Sequence, residues 1–268
     1  MGIRILYISE IVGKAGIWCI KTALPALKKA EMPDLVIANG NGVTGSWGLG
    51  RQHAGYLRKL GIDIITGGDC IFYKKDLVEG IDTIPYVIRP ANFPPESPGR
   101  GWRLVNVGGV KIAVVSYIGR AGFNRVHGEN PFTALTLLAD RLHQETPFII
   151  VDFHATATAE KLAFFYHADG KVSAVIGSHG RVQTADEMVL PGGCAVITDA
   201  GRTGSIDSVA GTDPSSKIKE YLSRIPDWSK DAWQRPELQG LVIDLDDDGK
   251  STAIRRVKIN CGEPPQGE

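Results

Sequence analysis

Two histidines draw attention by where they fall. The run Phe148-Ile149-Ile150-Val151 ends in Asp152-Phe153-His154, and Val172-Ser173-Ala174-Val175-Ile176 ends in Gly177-Ser178-His179-Gly180-Arg181. Each run is short, β-branched and free of charge, the pattern of a strand buried on both faces. Each places a histidine just past its carboxyl end, where open α/β sheets collect their ligands. Two imidazoles on neighbouring strand ends suit a metal ion. Either one alone could instead cap its strand through a local hydrogen bond. Three earlier strand ends carry further polar groups, Glu10, Asn41 and Asp69. Cys70 follows Asp69, and its thiol could donate a proton or attack if Arg181 or a metal lowered its pKa. A lone cysteine at a strand end is otherwise a small buried side chain.

The elements that must position these groups follow from the apolar pattern. Ile3 to Ile8 reads as a first strand and Ser9 to Gly13 as the loop after it. Ala15 to Ala30 has helical spacing, weakened by Pro25. Leu35 to Ala38 is a second strand, ending in the glycine-rich turn Asn39-Gly40-Asn41-Gly42, where backbone can approach a ligand. Arg51 to Leu60 reads as a helix and Ile62 to Thr66 as a third strand. Gly108-Gly109 between two apolar stretches marks a hairpin. Pro131 to Glu145 and Ala157 to Tyr166 read as helices. Asp199 to Gly204 reads as a polar loop, and Asp213-Pro214 opens a helix ending near Arg224. Leu238 to Asp244 and Ile254 to Ile259 read as strands joined by Asp246-Asp247-Asp248-Gly249. That turn lacks the closing glutamate of a calcium loop and reads as a hairpin tip. Alternating strands and helices, then late hairpins, predict one α/β layered domain over residues 1–260 with mixed sheets. Residues 261–268 read as a disordered tail.

Composition excludes several classes. The 268 residues carry 30 Lys plus Arg and 30 Asp plus Glu, so no global charge argues for nucleic acid or an anionic membrane. The four cysteines have no C-x-x-C spacing, against a disulfide scaffold or zinc ribbon. No apolar run reaches a membrane span, and a cytoplasmic protein is the expectation. His53, His127, His143 and His167 have no ligand-like spacing. Trp47, Arg51 and Arg202 lie in or beside loops that follow strand ends, and could line a cleft or simply pack.

The segments Ile5 to Gly13, Val36 to Gly40, Arg89-Pro90-Ala91-Asn92-Phe93-Pro94-Pro95, Val151 to Lys161, Gly177 to Asp186 and Thr198 to Gly204 carry a resemblance. The chain resembles the bacterial YmdB-like metallophosphoesterases from Ile3 to about Ile259. The resemblance implies a four-layer αββα sandwich of the calcineurin-like type. It also implies a two-metal site that hydrolyses phosphodiesters, including 2′,3′-cyclic nucleotides, and a homo-oligomer. The family's site does not carry over intact. An aspartate after the first strand is here Glu10. A bridging glutamate and the asparagine after it are Asn41 and Gly42. An Asn-His pair, whose histidine is the family's general acid, is Asp69-Cys70, and a Trp-Asp pair soon after is Phe72-Tyr73. The histidine at position 154 is kept, but the glutamate two residues later is Thr156. A His-x-His pair is His179 and Arg181.

Sorted by metal, these changes cluster. One ion's ligands become Glu10, Asn41, Gly42 and Arg181; glycine offers no side chain and guanidinium repels a cation. The other ion's ligands become Asn41, Asp69, His154 and His179, a workable set for one Fe, Mn or Zn ion. The expected cofactor is therefore at most one divalent transition metal, or none. Arg181 could cancel Glu10 in a salt bridge or grip a phosphate bidentately, with Asn41 as a second substrate contact. Glu10, Cys70 and Arg181 are the candidate catalytic side chains. The changes read first as a family-fold protein that has lost two-metal hydrolysis and acts as a binding, regulatory or scaffolding protein. The alternative is a one-metal phosphoesterase, with Arg181 in place of the second ion. Whether the chain is an enzyme stays open at this point. Its partner is a small phosphorylated ligand or another protein.

Overall fold

The computed structural model describes residues 2–123, 126, 128–226 and 230–262. In chain order the elements are β1 (Ile3–Ile8), β2 (Glu10–Ile11), α1 (Gly13–Glu31), β3 (Leu35–Asn39), α2 (Arg51–Lys59), β4 (Ile64–Thr66), α3 (Lys75–Val78) and β5 (Val87–Ile88). Then come β6 (Trp102–Val107), β7 (Val110–Ile118), α4 (Pro131–Leu142), β8 (Ile149–His154), α5 (Thr158–Ala168) and β9 (Ala174–Ser178). The chain continues through β10 (Met188–Val189), β11 (Ala195–Ile197), β12 (Arg202–Ser205), α6 (Pro214–Ser223), β13 (Pro236–Leu245) and β14 (Ser251–Asn260). One sheet runs β2-β12-β13-β1-β3-β4-β5, with β14 also on β13; the other runs β10-β11-β9-β8-β7-β6. Both are mixed. β1, β3, β4 and β5 are parallel neighbours, as are β7, β8, β9 and β11, while hairpins close the edges.

Side-chain alternation along each strand builds the layers. On β1, Leu6 and Ile8 pack outward with Ile20 and Leu24 of α1, while Ile5 and Tyr7 face the second sheet. On β8, Ile149, Val151 and Phe153 pack outward with Phe164 and Phe165 of α5, while Ile150 faces the first sheet. Helix, sheet, sheet, helix is the αββα order. Pro25 lies inside α1, on its exposed face, and the helix runs on through it. Two segments expected to be loops are strands. Glu10–Ile11 and Arg202–Ser205 pair in parallel, with β12 also on β13. Neither has an alternating pattern of its own; the neighbouring strand supplies its register. The tail expected over 261–268 falls outside the described residues from 263 onward, and His127 lies outside them too. No helix is long and apolar enough to cross a membrane among the described residues.

The inter-sheet layer is apolar at the amino ends of the strands and polar at their carboxyl ends. Tyr7, Asn39, Thr66, Asp152 and Ser178 continue the inward-facing rows of β1, β3, β4, β8 and β9. All five converge. Asp152, 1% exposed, accepts from Tyr7 Oη at 2.7 Å, Asn39 Nδ2 at 2.9 Å, Ser178 Oγ at 2.7 Å and the Thr66 hydroxyl. Burial, then the Asp152 charge, pushes the Tyr7 phenol well up, so it stays a donor. Replacing Asp152 with alanine removes the shared acceptor of four buried donors, of which Asn39 and Thr66 keep only longer bonds, to Ser178 Oγ at 3.3 Å and Ala38 O at 3.4 Å. Stability should fall by roughly 3–5 kcal/mol in urea unfolding, whereas Asp248→Ala on the exposed hairpin tip should change it by under ~0.5 kcal/mol.

Candidate metal centre

The alternation that aims Asp152 inward also aims His154, two residues on. Its ring is fully buried. His154 Nδ1 lies 3.0 Å from Ser178 Oγ, and that hydroxyl donates to Asp152. Ser178 therefore accepts from Nδ1–H, which fixes the tautomer and leaves Nε2 to face the cleft. Nε2 lies 2.9 Å from Asp69 Oδ1 and 3.1 Å from His179 Nδ1; His179 Nδ1 is 3.9 Å from the same Asp69 oxygen. Among the described residues, these three form the group of His, Cys, Asp and Glu side chains that could hold a metal ion. One carboxylate and two imidazoles are a usual complement for one first-row ion. The edges of the triangle are the separations expected of donors around one ion bound at about 2.0–2.2 Å. The donor set fits.

Electrostatics agree with the fit. Burial opposes the charge on Asp69, but the hydrogen bond and charge of His154 more than offset it and hold the carboxyl well below its usual range. His154 is pushed up in the metal-free site, because Asp69 outweighs the burial that would lower it. Burial, then the neighbouring His154 charge, pushes His179 down to about 4, so its lone pair is available at neutral pH. A bound cation would sit beside Asp69 and compete with protons for His154 Nε2. Phe123 lies flat against His154 at 6.2 Å and edge-on to His179 at 5.2 Å. It forms an apolar wall that the sequence reading missed. Gly68 has no room for a side chain: a Cβ there would sit 2.4 Å from His154 Cδ2.

Asn41 reaches the cluster with the wrong atom for a ligand. Its Oδ1 accepts from the Gly68 and Cys70 amides, both at 2.9 Å. Its Nδ2 faces the donors, 2.9 Å from Asp69 Oδ1 and 3.3 Å from His154 Nε2. An amide nitrogen does not ligate, so Asn41 orients Asp69 instead. Cys70 is buried with Sγ 3.4 Å from Asp69 Oδ2. Burial, then the Asp69 charge, pushes its thiol up, opposite to what a nucleophile needs.

Glu10 and Arg181 meet beside this cluster. Arg181 Nη2 donates to Glu10 Oε1 at 2.7 Å and to Ser46 O at 3.0 Å, while Nη1 donates to Ala210 O at 2.8 Å. Both bidentate edges of a guanidinium need an Nη2 hydrogen, and both are committed. The expected fork around a phosphate is therefore not free to form; Arg181 is a fixed buried charge. Its Nη2 lies 2.8 Å from where a Cβ of residue 42 would stand, so Gly42 is what admits the guanidinium. Glu10 Oε2 is buried without a partner. Burial would raise the Glu10 carboxyl, but Arg181, with His154 and His179, lowers it.

A strained loop carries His179 and Arg181. Both have left-handed backbones, with φ of 94° and 57°. The loop is held from outside. Asp199 Oδ2 accepts from Gly180 N at 2.7 Å and from buried Lys161 Nζ at 3.1 Å, and Arg202 Nη1 donates to Arg181 O at 2.8 Å. Thr156 Oγ1 donates to Ala121 O, and the Arg51 guanidinium lies against Gly80. The Asn92 side chain braces two segments: Nδ2 donates to Ile118 O and Glu129 O, and Oδ1 accepts from Ile118 N.

Two facing mixed sheets with an Asp-His-His group at their carboxyl ends define a calcineurin-like metallophosphoesterase fold. The architecture is similar to that of a 5′-nucleotidase precursor from Thermus thermophilus, with a TM-score of 0.59 at 13% identity over 97% of this chain and 54% of that one. The family model described as YmdB-like protein matches residues 6–257, and the chain belongs to that family. It is 39% identical over 258 residues to a 2′,3′-cyclic-nucleotide 2′-phosphodiesterase of Bacillus subtilis (strain 168), covering 96% of this chain and 97% of the relative. Two solved structures superpose with a TM-score of 0.90. One is a hypothetical protein from Thermus thermophilus, at 30% identity over 98% of this chain and 100% of that one. The other is a novel phosphatase from Mycoplasma pneumoniae, at 28% identity over 97% and 94%.

The Glu10–Arg181 pair makes a signed prediction for the metal-free protein. A carboxylate held below its unfolded value near 4.5 stabilises the fold above that pH and loses the contribution as pH falls through its folded value. In Arg181→Met, burial acts on Glu10 against the weaker pull of His154 and His179 only, and its carboxyl rises relative to the parent. The variant should be about 3–5 kcal/mol less stable than the parent at pH 8. The gap should narrow as pH falls toward 5, measured by urea unfolding at both values.

Proposed function

We propose that the chain is a phosphoesterase that runs on one divalent metal, with Arg181 supplying the charge of a second. The carrying observation is the Asp69-His154-His179 group, complete and correctly oriented beside a buried guanidinium. The phosphodiesterase from Bacillus subtilis and the phosphatase from Mycoplasma pneumoniae support hydrolysis of a phosphoester, and the loss-of-activity reading of the sequence gives way to this one.

Asp69, His154 and His179 would hold the ion, which supplies a Lewis acid and an activated water when bound. The chain's own residues do the rest. Ser178 and Asp152 fix the His154 tautomer, and Asn41 keeps Asp69 turned inward. Arg181 gives fixed positive charge toward a phosphoryl group without rearranging. Glu10 Oε2, unpaired and held ionised, is an acceptor for a water or a substrate hydroxyl. Phe123 walls the two imidazoles on one side, His154 being fully buried and His179 partly open. Cys70 stays a protonated neighbour of Asp69.

Hydrolysis of bis-p-nitrophenyl phosphate and 2′,3′-cyclic AMP, with Mn, Fe or Zn supplied, tests the proposal. Activity should be abolished by chelation. Asp69→Ala and His179→Ala should each lower it by about a hundredfold or more, and full activity in either variant would contradict the assignment. Ser178→Ala keeps every ligand but frees the His154 ring. Its metal affinity should fall by about 10–100-fold in competition with a chelating dye.

A further inference from the structure

His179 sits on a backbone that side chains seldom adopt unaided. His179 and Arg181 are both left-handed, while Gly180 between them is not. Residues in that region persist where surrounding bonds fix them. Here one buried carboxylate supplies the bonds. Asp199 accepts from Gly180 N at 2.7 Å through Oδ2 and from Gly201 N at 2.9 Å through Oδ1. Its own backbone is pinned in turn: Asp199 N donates to Thr184 Oγ1, and Asp199 O accepts from Thr184 N, both at 3.0 Å. The same Oδ2 accepts from the buried Lys161 ammonium at 3.1 Å. Gly180 has no left-handed φ, so its missing side chain answers a different need. A Cβ there would stand 2.8 Å from Asp199 Oδ2.

We propose that Asp199 is the positioning residue for His179, and that Lys161 turns it into a brace between the two histidine-bearing strand ends. The inference rests on the reading of Asp69, His154 and His179 as metal donors. Topology carries it. Lys161 lies on α5, which follows His154 at the end of β8, and Gly180 follows His179 just beyond β9. The bonds of Asp199 therefore join the two chain segments that leave the imidazole donors. The 3.1 Å spacing of His154 Nε2 and His179 Nδ1 is held from outside the cleft as well as by the pairing of β8 with β9. Neither Asp199 nor Lys161 need touch the ion. One bond goes to the backbone beside one donor, and the other goes to the helix behind the second. Donors held in place before the ion arrives lose little freedom on binding it, so the brace raises metal affinity. Burial makes the brace stiff, because parting the pair leaves an uncompensated charge in the interior.

Competition between the chelator-treated full chain and a chelating dye for zinc tests the brace without turnover. Asp199→Ala should bind zinc about tenfold more weakly than the parent. Gly180→Ala, whose methyl takes the space of the Asp199 bond, should show a loss of the same order. It keeps both buried charges, and so carries the test if Asp199→Ala does not fold. The double variant should bind no more weakly than the single ones, because both changes break one contact. Leu135→Ala opens a cavity in the outer core against α4, and controls for a general loss of stability. It should keep the parent's affinity. Hydrogen exchange of the metal-free protein reads the loop itself, and amides over residues 177–186 should exchange faster in Asp199→Ala. Parent affinity in Asp199→Ala, an equal loss in Leu135→Ala, losses that add in the double variant, or unchanged exchange would overturn the proposal. The two readings fail separately. A parent that binds no zinc sinks the metal centre, and this role with it. A parent that binds zinc, with an Asp199→Ala variant that binds it equally well, sinks this role alone.

Discussion

The buried carboxylate of Asp152 is the constraint on which the site depends. It gathers donors from β1, β3, β4 and β9 onto a strand of the second sheet, and so pins the two sheets together at their carboxyl ends. A carboxylate in that position is costly unless fully bonded, and here four donors bond it. The same bonds reach His154 through Ser178. Packing and chemistry are therefore one network: the group that sets how the sheets meet also sets which nitrogen of His154 faces the donors.

The second organising feature is a protein cation beside the metal donors. Two divalent ions side by side need bridging and flanking anions. Asn41, at the position where the family resemblance implies a bridging carboxylate, has its oxygen on two backbone amides. Arg181 fills the space that Gly42 leaves open and pairs with Glu10. A guanidinium cannot activate water as a metal can. It does keep positive charge in place with no ligand to lose. The strained loop that presents it is held by the buried Lys161–Asp199 pair and by Arg202, so its φ values are set by groups remote from the cleft.

Much of this was legible in the residues. The buried strands, their carboxyl-end polar groups and the His154–His179 pairing follow from apolar runs that end in charged or glycine-rich turns. The layered order followed from the family resemblance and from alternation. Other features were not legible, for physical reasons. Glu10–Ile11 and Arg202–Ser205 are strands only because neighbours supply their register. Asn41 has ligand chemistry, but which end of its amide faces the site depends on two backbone N–H groups far along the chain. Arg181 has the donors to grip a phosphate, but Ser46, Ala210 and Glu10 take them. Phe123, Ser178 and the Lys161–Asp199 pair act through contacts that no local pattern announces. Asp152 could have been found: it shares the inward face of β8 with His154, two residues apart.

The central claim is one metal ion per chain with a guanidinium in place of the other. Titrating metal into chelator-treated protein while following phosphodiester hydrolysis tests it most directly. Activity should rise linearly and saturate at one equivalent per chain, with elemental analysis of the saturated protein giving the same number. Saturation only at two equivalents, with two ions retained, would contradict the account.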